Sequence, residues 1–404
     1  MTRASRLGWV GALAIAMAAC GGSPGDDASS AAGGGGTSSS HVAATTSTAP
    51  PTPASTGAGE ADACATLEAD YQSALETLLT VTSAPGGTLA VHTEACGDWK
   101  GAAGTSEPGV AMDPDMVLGM GSVTKTFVAS AFLEAAKAGL VDLDGPLSDY
   151  QPDFPNAASI TLRMLLNHTS GIADFTTTTT FLDAIEAQPG RVWMPQELVD
   201  IAAMQPPLSA PGAAWHYANT NYVLAGMALE AATGANVASL IRGELLDPLA
   251  LTSTSFGGEE PIVGDLAHCF IEGEDVTGYF DWSGFWTAGA MVSSASDLAA
   301  WARALYGGQA IDADLLAEMT TGAVPTTTPG WTYGLGVLEM DAASEGAACV
   351  GHDGAIPAYR AWMVYFPATK ASFGFMINDY AATAAGMSDD DLIVSDFAAV
   401  VGEP

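Results

Sequence analysis

The chain is short of positive charge. Its 404 residues include 11 Lys and Arg against 46 Asp and Glu, a formal net charge of −35. A field of that sign and size repels nucleic acid and anionic lipid headgroups, so neither is an expected partner. Long apolar runs near the N-terminus are also missing: "LGWVGALAIAMA", Leu7 to Ala18, falls well short of the ~20 residues that cross a bilayer. No GxSxG elbow lies in the folded part of the chain and HExxH occurs nowhere, which removes α/β-hydrolase and zincin chemistry. No motif calls for a cofactor. Cysteine is scarce, with five in all, and lysine scarcer, with only Lys100, Lys125, Lys137 and Lys370.

Apolar residues make up 48% of the chain, enough for one large core or two closely packed lobes. Arg3 and Arg6 precede the Leu7 to Ala18 run, which reads as a secretory signal over residues 1–19. The following "AMAAC" resembles the bacterial lipoprotein processing box, which implies that Cys20 carries a lipid anchor and that the protein is exported and held at the cell envelope. Residues 20–62 are mostly Gly, Ser, Thr, Ala and Pro and bury too little to fold, so they read as a tether ahead of a folded domain at 63–404. Beyond Cys20, an even number of cysteines in an exported chain favours two disulfides. Sequence order suggests Cys64 with Cys96 and Cys269 with Cys349, although three pairings exist. A zinc site from His268, Cys269, Cys349 and His352 is the alternative.

Within the domain, Leu67, Tyr71, Leu75 and Leu78 fall at helical spacing in a segment from Ala65 to Val81. "PGGTLAVHTE" reads as a turn into a strand. A helix is expected from about Ser122 to Ala138, ended by Gly139, and residues 160–250 look mainly helical, which puts a helical lobe at about 125–250. Short strands return in "GLGVLEM", "AWMVYFP" and "ASFGFMI", followed by a last helical stretch, "DDDLIVSDFAAVVG". Strands at both ends with helices between them predict an α/β (α+β) fold: an antiparallel sheet built from both chain ends, flanking helices and an inserted all-helical lobe.

Ser122 and Lys125, in "GSVTKTF", lie one helical turn apart on one face. A serine hydroxyl is a weak nucleophile until a base takes its proton, and lysine is a base only when neutral. At the ordinary lysine pKa the neutral fraction near pH 7 is about one in a few thousand, so burial or a cationic neighbour has to shift it. The bland alternative is a capping serine beside a surface lysine. Partners decide between them: "YAN" supplies Tyr217 and Asn219, and "HDG" supplies His352 and Gly354. All three spacings arise together by accident on the order of 3% of the time in such a chain.

The three elements SxxK, YxN and HxG, in that order, are similar to those of the serine β-lactamase and penicillin-binding-protein family, in its class C β-lactamase, DD-carboxypeptidase and family VIII esterase branch. The flanks "LVDLDGPLSDYQPDFP", "ITLRMLLNHTSGI", "WTAGAMVSSASDLAAWARAL" and "GHDGAIPAY" resemble it too. The resemblance implies a β-lactamase/transpeptidase-like fold and an exported serine hydrolase of the DD-carboxypeptidase or β-lactamase kind, with carboxylesterase, amidase or a non-catalytic wall-binding protein as alternatives. Its substrates are small-molecule or peptide acyl donors. It implies Ser122 as the acylated nucleophile, Lys125 as general base, Tyr217 as a second proton-transfer group and Asn219 as orienter of Lys125. His352 replaces a lysine on the flanking strand, and the backbone N–H groups of Ser122 and Ala355 form the oxyanion hole. His168 reads as a loop-stapling residue, and Trp286 and Gly289 as shaping the cleft wall and a tight turn.

One departure bears on substrate. Asp353 and Ala355 stand where carboxylate-binding members of the family commonly offer hydroxyls. A carboxylate there disfavours an anionic substrate, unless Arg360 neutralises it. Asp353, Gly354 and Arg360 are therefore the expected substrate-binding positions, and an ester, amide or cationic acyl donor the preferred substrate.

Overall fold

A computed structural model describes residues 56–342 and 346–379. Residues 1–19, Cys20, most of the 20–62 segment and the expected C-terminal helix lie outside the described residues.

The first helix, α1 (Thr56–Thr82), begins ahead of the predicted Ala65. It buries Tyr71, Leu75 and Leu78 on one side, as their spacing requires. Cys64 on this helix is disulfide-bonded to Cys96, 32 residues on, in the turn between the first two strands. Closing a loop of that length removes chain entropy from the unfolded state. Replacing both cysteines by alanine is therefore expected to lower unfolding free energy by about 3 kcal/mol in urea titrations. The difference should vanish when both proteins are reduced.

Among the described residues the central sheet has nine strands. From the N-terminal part come β1 (Gly86–Thr93), β2 (Gly97–Glu107) and β3 (Val110–Ala111). After β4 (Leu118–Gly119), β5 (Ser255–Phe256), β6 (Phe270–Ile271), β7 (Glu274–Asp275) and β8 (Met291–Ser293), which form two small sheets, the C-terminal part supplies six more. These are β9 (Val324–Pro325), β10 (Trp331–Tyr333), β11 (Leu338–Met340), β12 (Cys349–Ile356), β13 (Tyr359–Phe366) and β14 (Ala371–Ile377). The order is β3-β2-β1-β14-β13-β12-β11-β10-β9, with antiparallel ladders throughout. The ladder between β1 and β14 joins the two ends of the folded chain, as expected for a sheet built from both termini.

Alternation along β13 divides two cores. Trp362, Val364 and Phe366 pack with α1 and with Leu89, Phe373 and Phe375, whereas Ala361, Met363 and Tyr365 face the larger core shared with the helical lobe. That lobe begins with α2 (Thr124–Lys137), preceded by a single 3-10 turn at Gly121–Val123. It continues through α3 (Leu162–Leu166), α4 (Thr179–Ala187), α5 (Pro195–Ala203), α6 (Asn219–Thr233) and α7 (Val237–Ile241), and closes with a π turn at Arg242–Leu246. Gly139 ends α2's turn at φ +71°, as its position predicts. Three further helices, α8 (Trp286–Gly289), α9 (Ala295–Tyr306) and α10 (Ala313–Thr320), follow.

The expected second disulfide is corrected: Cys269 and Cys349 are not bonded to each other. Cys269 is buried in the core shared with the helical lobe, whereas Cys349, at the start of β12, belongs to the core under α1, so the sheet separates them. The zinc alternative fails for the same reason. His268 instead pairs with Asp275 and Glu107, and His352 bonds Tyr333.

Candidate active site

Gly121 enters the 3-10 turn at φ +51°, and the chain passes straight from that turn into α2, placing Ser122 and Lys125 on one face. Both are buried, Lys125 completely. Lys125 Nζ lies 2.8 Å from Ser122 Oγ, 2.9 Å from Asn219 Oδ1 and 2.6 Å from the carbonyl of Ala288 on α8. Two of these partners can only accept, so two N–H bonds are committed to them. The third direction, toward Ser122, carries a third N–H when the amine is charged and a lone pair when it is neutral. In the neutral state Lys125 is therefore aimed to receive the serine proton. Tyr217 Oη donates to the same Ser122 Oγ at 2.7 Å, so a second proton carrier touches the nucleophile. Ser122, Lys125, Tyr217 and Asn219, drawn from segments nearly a hundred residues apart, are thus in direct contact.

His352 is adjacent but differently employed. Tyr333 Oη donates to its Nε2 at 2.9 Å, and its Nδ1 hydrogen goes to the carbonyl of Asp353. Burial and the nearby Lys125 charge push its pKa down to about 3, so it is a neutral ring and supplies no positive charge. On the next residue, burial raises the Asp353 carboxyl above the ordinary range while the Arg360 guanidinium opposes that shift. Asp353 is paired with Trp362 across the β12/β13 ladder. Arg360 lies one diagonal step away, with its guanidinium 4.6 Å from the Trp362 ring. The structure thus places Arg360 as the charge that offsets Asp353.

The β12 strand meets the nucleophile turn backbone to backbone. A Cβ on Gly354 would fall 2.0 Å from the Met120 carbonyl and 3.0 Å from Ser122 N, and one on Gly121 would fall 2.5 Å from Ala355 N. This contact brings the backbone of Ser122 close to that of Ala355, the two residues whose N–H groups are the expected oxyanion hole. Among the described residues, β11 pairs with β12 only as far as Gly351, so residues 352–356 present an open strand edge at the site.

His168 does staple loops. Its Nδ1 accepts from Ala218 N at 3.3 Å and Asn221 Nδ2 at 3.0 Å, its carbonyl accepts from His216 N, and its ring lies 4.2 Å from that of Tyr217. A Cβ on Gly289 would fall 3.5 Å from the Gly121 carbonyl carbon, so Gly289 lies directly beside the nucleophile turn. Trp286 is buried and donates to Glu259 through Nε1, so it braces the wall from behind. Three contributors escaped the sequence reading: the Ala288 carbonyl on Lys125, Tyr333 on His352, and Asp174, which accepts from Asn219 Nδ2 at 2.9 Å. The only sequence signal for Asp174 was a carboxylate set among apolar and threonine residues in "IADFT".

A serine flanked by a buried lysine and a tyrosine, on the first turn of a helix between an antiparallel sheet and a helical lobe, defines the serine acyl-transfer enzymes of the β-lactamase and transpeptidase fold. The Beta-lactamase family profile matches residues 72–396, and the chain belongs to that family. It is similar to Penicillin-binding protein 4 of Amycolatopsis lactamdurans, 28% identical over 78% of this chain and 86% of that protein. Among solved structures it resembles a D-stereospecific amidohydrolase from Streptomyces sp., with a TM-score of 0.73, 29% identity, and 82% of this chain and 99% of that one covered. The D-amino acid amidase of Ochrobactrum anthropi SV3 gives a TM-score of 0.75 at 26% identity, over 83% of this chain and 99% of that one. The chain spans about half the length, or less, of seven other curated relatives that it matches, among them a D-aminopeptidase of Cereibacter sphaeroides at 51% of its length.

Proposed function

We propose that this serine hydrolase cleaves amides or esters of small acyl donors without a terminal carboxylate, with D-amino acid amides the favoured class. The observation that carries the reading is the pair His352 and Asp353. His352 is a neutral ring and Asp353 an acidic side chain, so neither supplies the positive charge that an anionic substrate needs at this strand. A D-amino acid amide brings an ammonium group and a neutral leaving group, and the acidity of the whole chain attracts such a cation. The likeness to a D-amino acid amidase and a D-stereospecific amidohydrolase supports the same class.

Chemistry follows from the contacts. Ser122 Oγ attacks the acyl carbon as its proton passes to Lys125, the oxyanion collects at the Ser122 and Ala355 N–H groups, and Tyr217 delivers a proton to the leaving nitrogen or oxygen. Water then releases the acyl group by the reverse relay. The intact constellation argues against a purely binding role. Export by residues 1–19 and anchoring at Cys20 belong to the same reading, and the Cys64–Cys96 disulfide fits an oxidising compartment.

Arg360 favours a second reading: with Asp353 offset, a carboxylate-bearing penicillin or acyl-D-Ala-D-Ala peptide gains access. Turnover of D-phenylalanine amide, nitrocefin, a diacyl-D-Ala-D-Ala peptide and a neutral p-nitrophenyl ester, each compared with Ser122→Ala, separates the two. The proposal expects the amide or ester to lead. If only nitrocefin or the peptide turns over, the carboxypeptidase or β-lactamase reading replaces it. Asp353→Thr is expected to raise the nitrocefin-to-ester ratio by about tenfold, the scale of one removed like charge. An unchanged ratio would show that Asp353 does not select substrate.

A further inference from the structure

The segment Asn167–Thr176 docks residue by residue onto the start of α6. Beyond the His168 contacts, Ser170 Oγ donates to Asn221 Oδ1 at 2.6 Å, Thr220 Oγ1 donates to the Ala173 carbonyl at 2.8 Å, and Phe175 N donates to Thr220 Oγ1 at 3.0 Å. Those bonds tie backbone and scaffold. One does something else: Asp174 Oδ2 accepts from Asn219 Nδ2 at 2.9 Å, and Asn219 Oδ1 accepts from Lys125 Nζ at 2.9 Å.

An amide has one accepting and one donating end, and nothing in its own shape decides which end faces Lys125. Asp174 decides it. Its other oxygen accepts from Thr176 N and Thr176 Oγ1, both at 2.9 Å, and Thr176 Oγ1 in turn offers the Asn219 Nδ2 a second, longer acceptor at 3.4 Å, so acceptors alone surround that end of the amide. Only an Asn219 turned with Nδ2 toward Asp174 satisfies both neighbours, and that turn presents the carbonyl oxygen to Lys125.

We propose that Asp174 is a positioning residue for the hydrolase reaction proposed above: it fixes the Asn219 amide, and through it holds the Lys125 amine and sets the charge felt there. Asp174 touches neither Ser122 nor substrate and acts only through Asn219.

The charge environment makes the effect directional. Lys125 is faced by Ser122 on its own turn, Tyr217 at 4.9 Å and Tyr222 at 5.5 Å from ring centres, His168 and Asp174 from the docking segment, and His352 and Asp353 from β12. Burial holds both histidines neutral and pushes the Tyr222 hydroxyl well up. Arg360 offsets Asp353. Burial also raises the Asp174 carboxyl, but its three donors oppose that. An anion at Asp174 favours the charged form of Lys125. Bringing the anion closer therefore moves the acid limb of the pH–rate profile upward, and removing it moves the limb down.

The test measures the rate at which a fluorophosphonate labels Ser122 between pH 5 and 10, a reaction in which the Ser122 oxygen bonds phosphorus, fluoride leaves and the hydroxyl proton goes to the base. Three proteins are compared: wild type, Asp174→Asn, and the exchange double variant Asp174→Asn with Asn219→Asp. Asp174→Asn sets two amides against each other and turns a donor toward Lys125. Labelling is expected to slow about 10- to 100-fold at pH 7, part of what a positioned proton acceptor contributes. The exchange restores a donor facing an acceptor at both links and places the anion directly on Lys125. It is expected to label about tenfold faster than the single variant above pH 9, with an acid limb higher than that of wild type. A merely structural role predicts loss in both variants and no displaced limb.

Asp174→Asn labelling within threefold of wild type with the same acid limb overturns the proposal, as does an exchange variant no faster than the single one. If Asp174→Asn does not fold, by circular dichroism and melting, the exchange variant decides alone: a raised limb supports the role and an unmoved one ends it. Wild type that is not labelled at all would remove the hydrolase reading itself, and this role with it. Labelled wild type with unmoved limbs would remove only the role of Asp174.

Discussion

Lys125→Met is expected to lower kcat/KM by about 10³- to 10⁴-fold at neutral pH, the upper range for a positioned general base. Methionine is close to lysine in length and suits a site with no solvent exposure, so the fold should survive. The carbonyl of Ala288 and Oδ1 of Asn219 lose a donor, which costs stability but does not touch the serine. What disappears is the acceptor 2.8 Å from Ser122 Oγ. Tyr217 still donates to that oxygen at 2.7 Å, and a donor alone leaves the nucleophile weaker. Intact-mass analysis after mixing with an activated ester should show a stoichiometric acyl adduct in wild type and none on the same time scale in the variant. A loss smaller than about tenfold, together with a larger loss in Tyr217→Phe, would transfer the first proton transfer to Tyr217.

Local chemistry was legible in the sequence where it is local in space. Ser122 and Lys125 share one helical turn, so their spacing alone predicts contact, and the YxN and HxG motifs brought Tyr217, Asn219 and His352 to the same place. Residues joined only by tertiary docking were not legible. Asp174 reaches Asn219 across 45 positions and the Ala288 carbonyl reaches Lys125 across 163, and a backbone carbonyl leaves no mark in sequence at all. The role of His352 was readable only in part. Its place on β12 followed from the motif, but its neutral state depends on burial against Tyr333, which no spacing encodes.

The fold divides in the same way. The apolar spacing in α1 and the runs that became β1, β13 and β14 carry their own signal. By contrast, "GDWKGAAGTSE" has little alternation and becomes β2 because β1 pairs with it. Pairing cysteines in sequence order worked for Cys64 and Cys96, which flank adjacent elements. It failed for Cys269 and Cys349 because a sheet has two faces, and their positions on it follow from strand register rather than from order.

That register also makes Gly354 the position most sensitive to a single added carbon. Gly354→Ala would place a methyl 2.0 Å from the Met120 carbonyl oxygen and 3.0 Å from Ser122 N, both backbone atoms that cannot rotate away. Strand β12 and the nucleophile turn must then separate, and Gly121 already meets Ala355 from the other side with no slack. The two N–H groups that would receive the oxyanion sit on opposite banks of this contact, so separation moves one away from the position the oxygen must take. Loss of one such donor costs about 10²- to 10³-fold in kcat, and that is the expected loss, with KM changed by only a few-fold. Forcing a methyl into a packed contact also costs about 1 to 3 kcal/mol, visible as a lower melting temperature. Gly243→Ala, where an added carbon meets nothing within 4 Å in the turn Arg242–Leu246, is the control: it should leave kcat unchanged and should not lower the melting temperature. If Gly354→Ala keeps kcat within threefold of wild type, the oxyanion hole does not depend on the approach of β12 to Ser122, and the Ala355 N–H loses its assigned role.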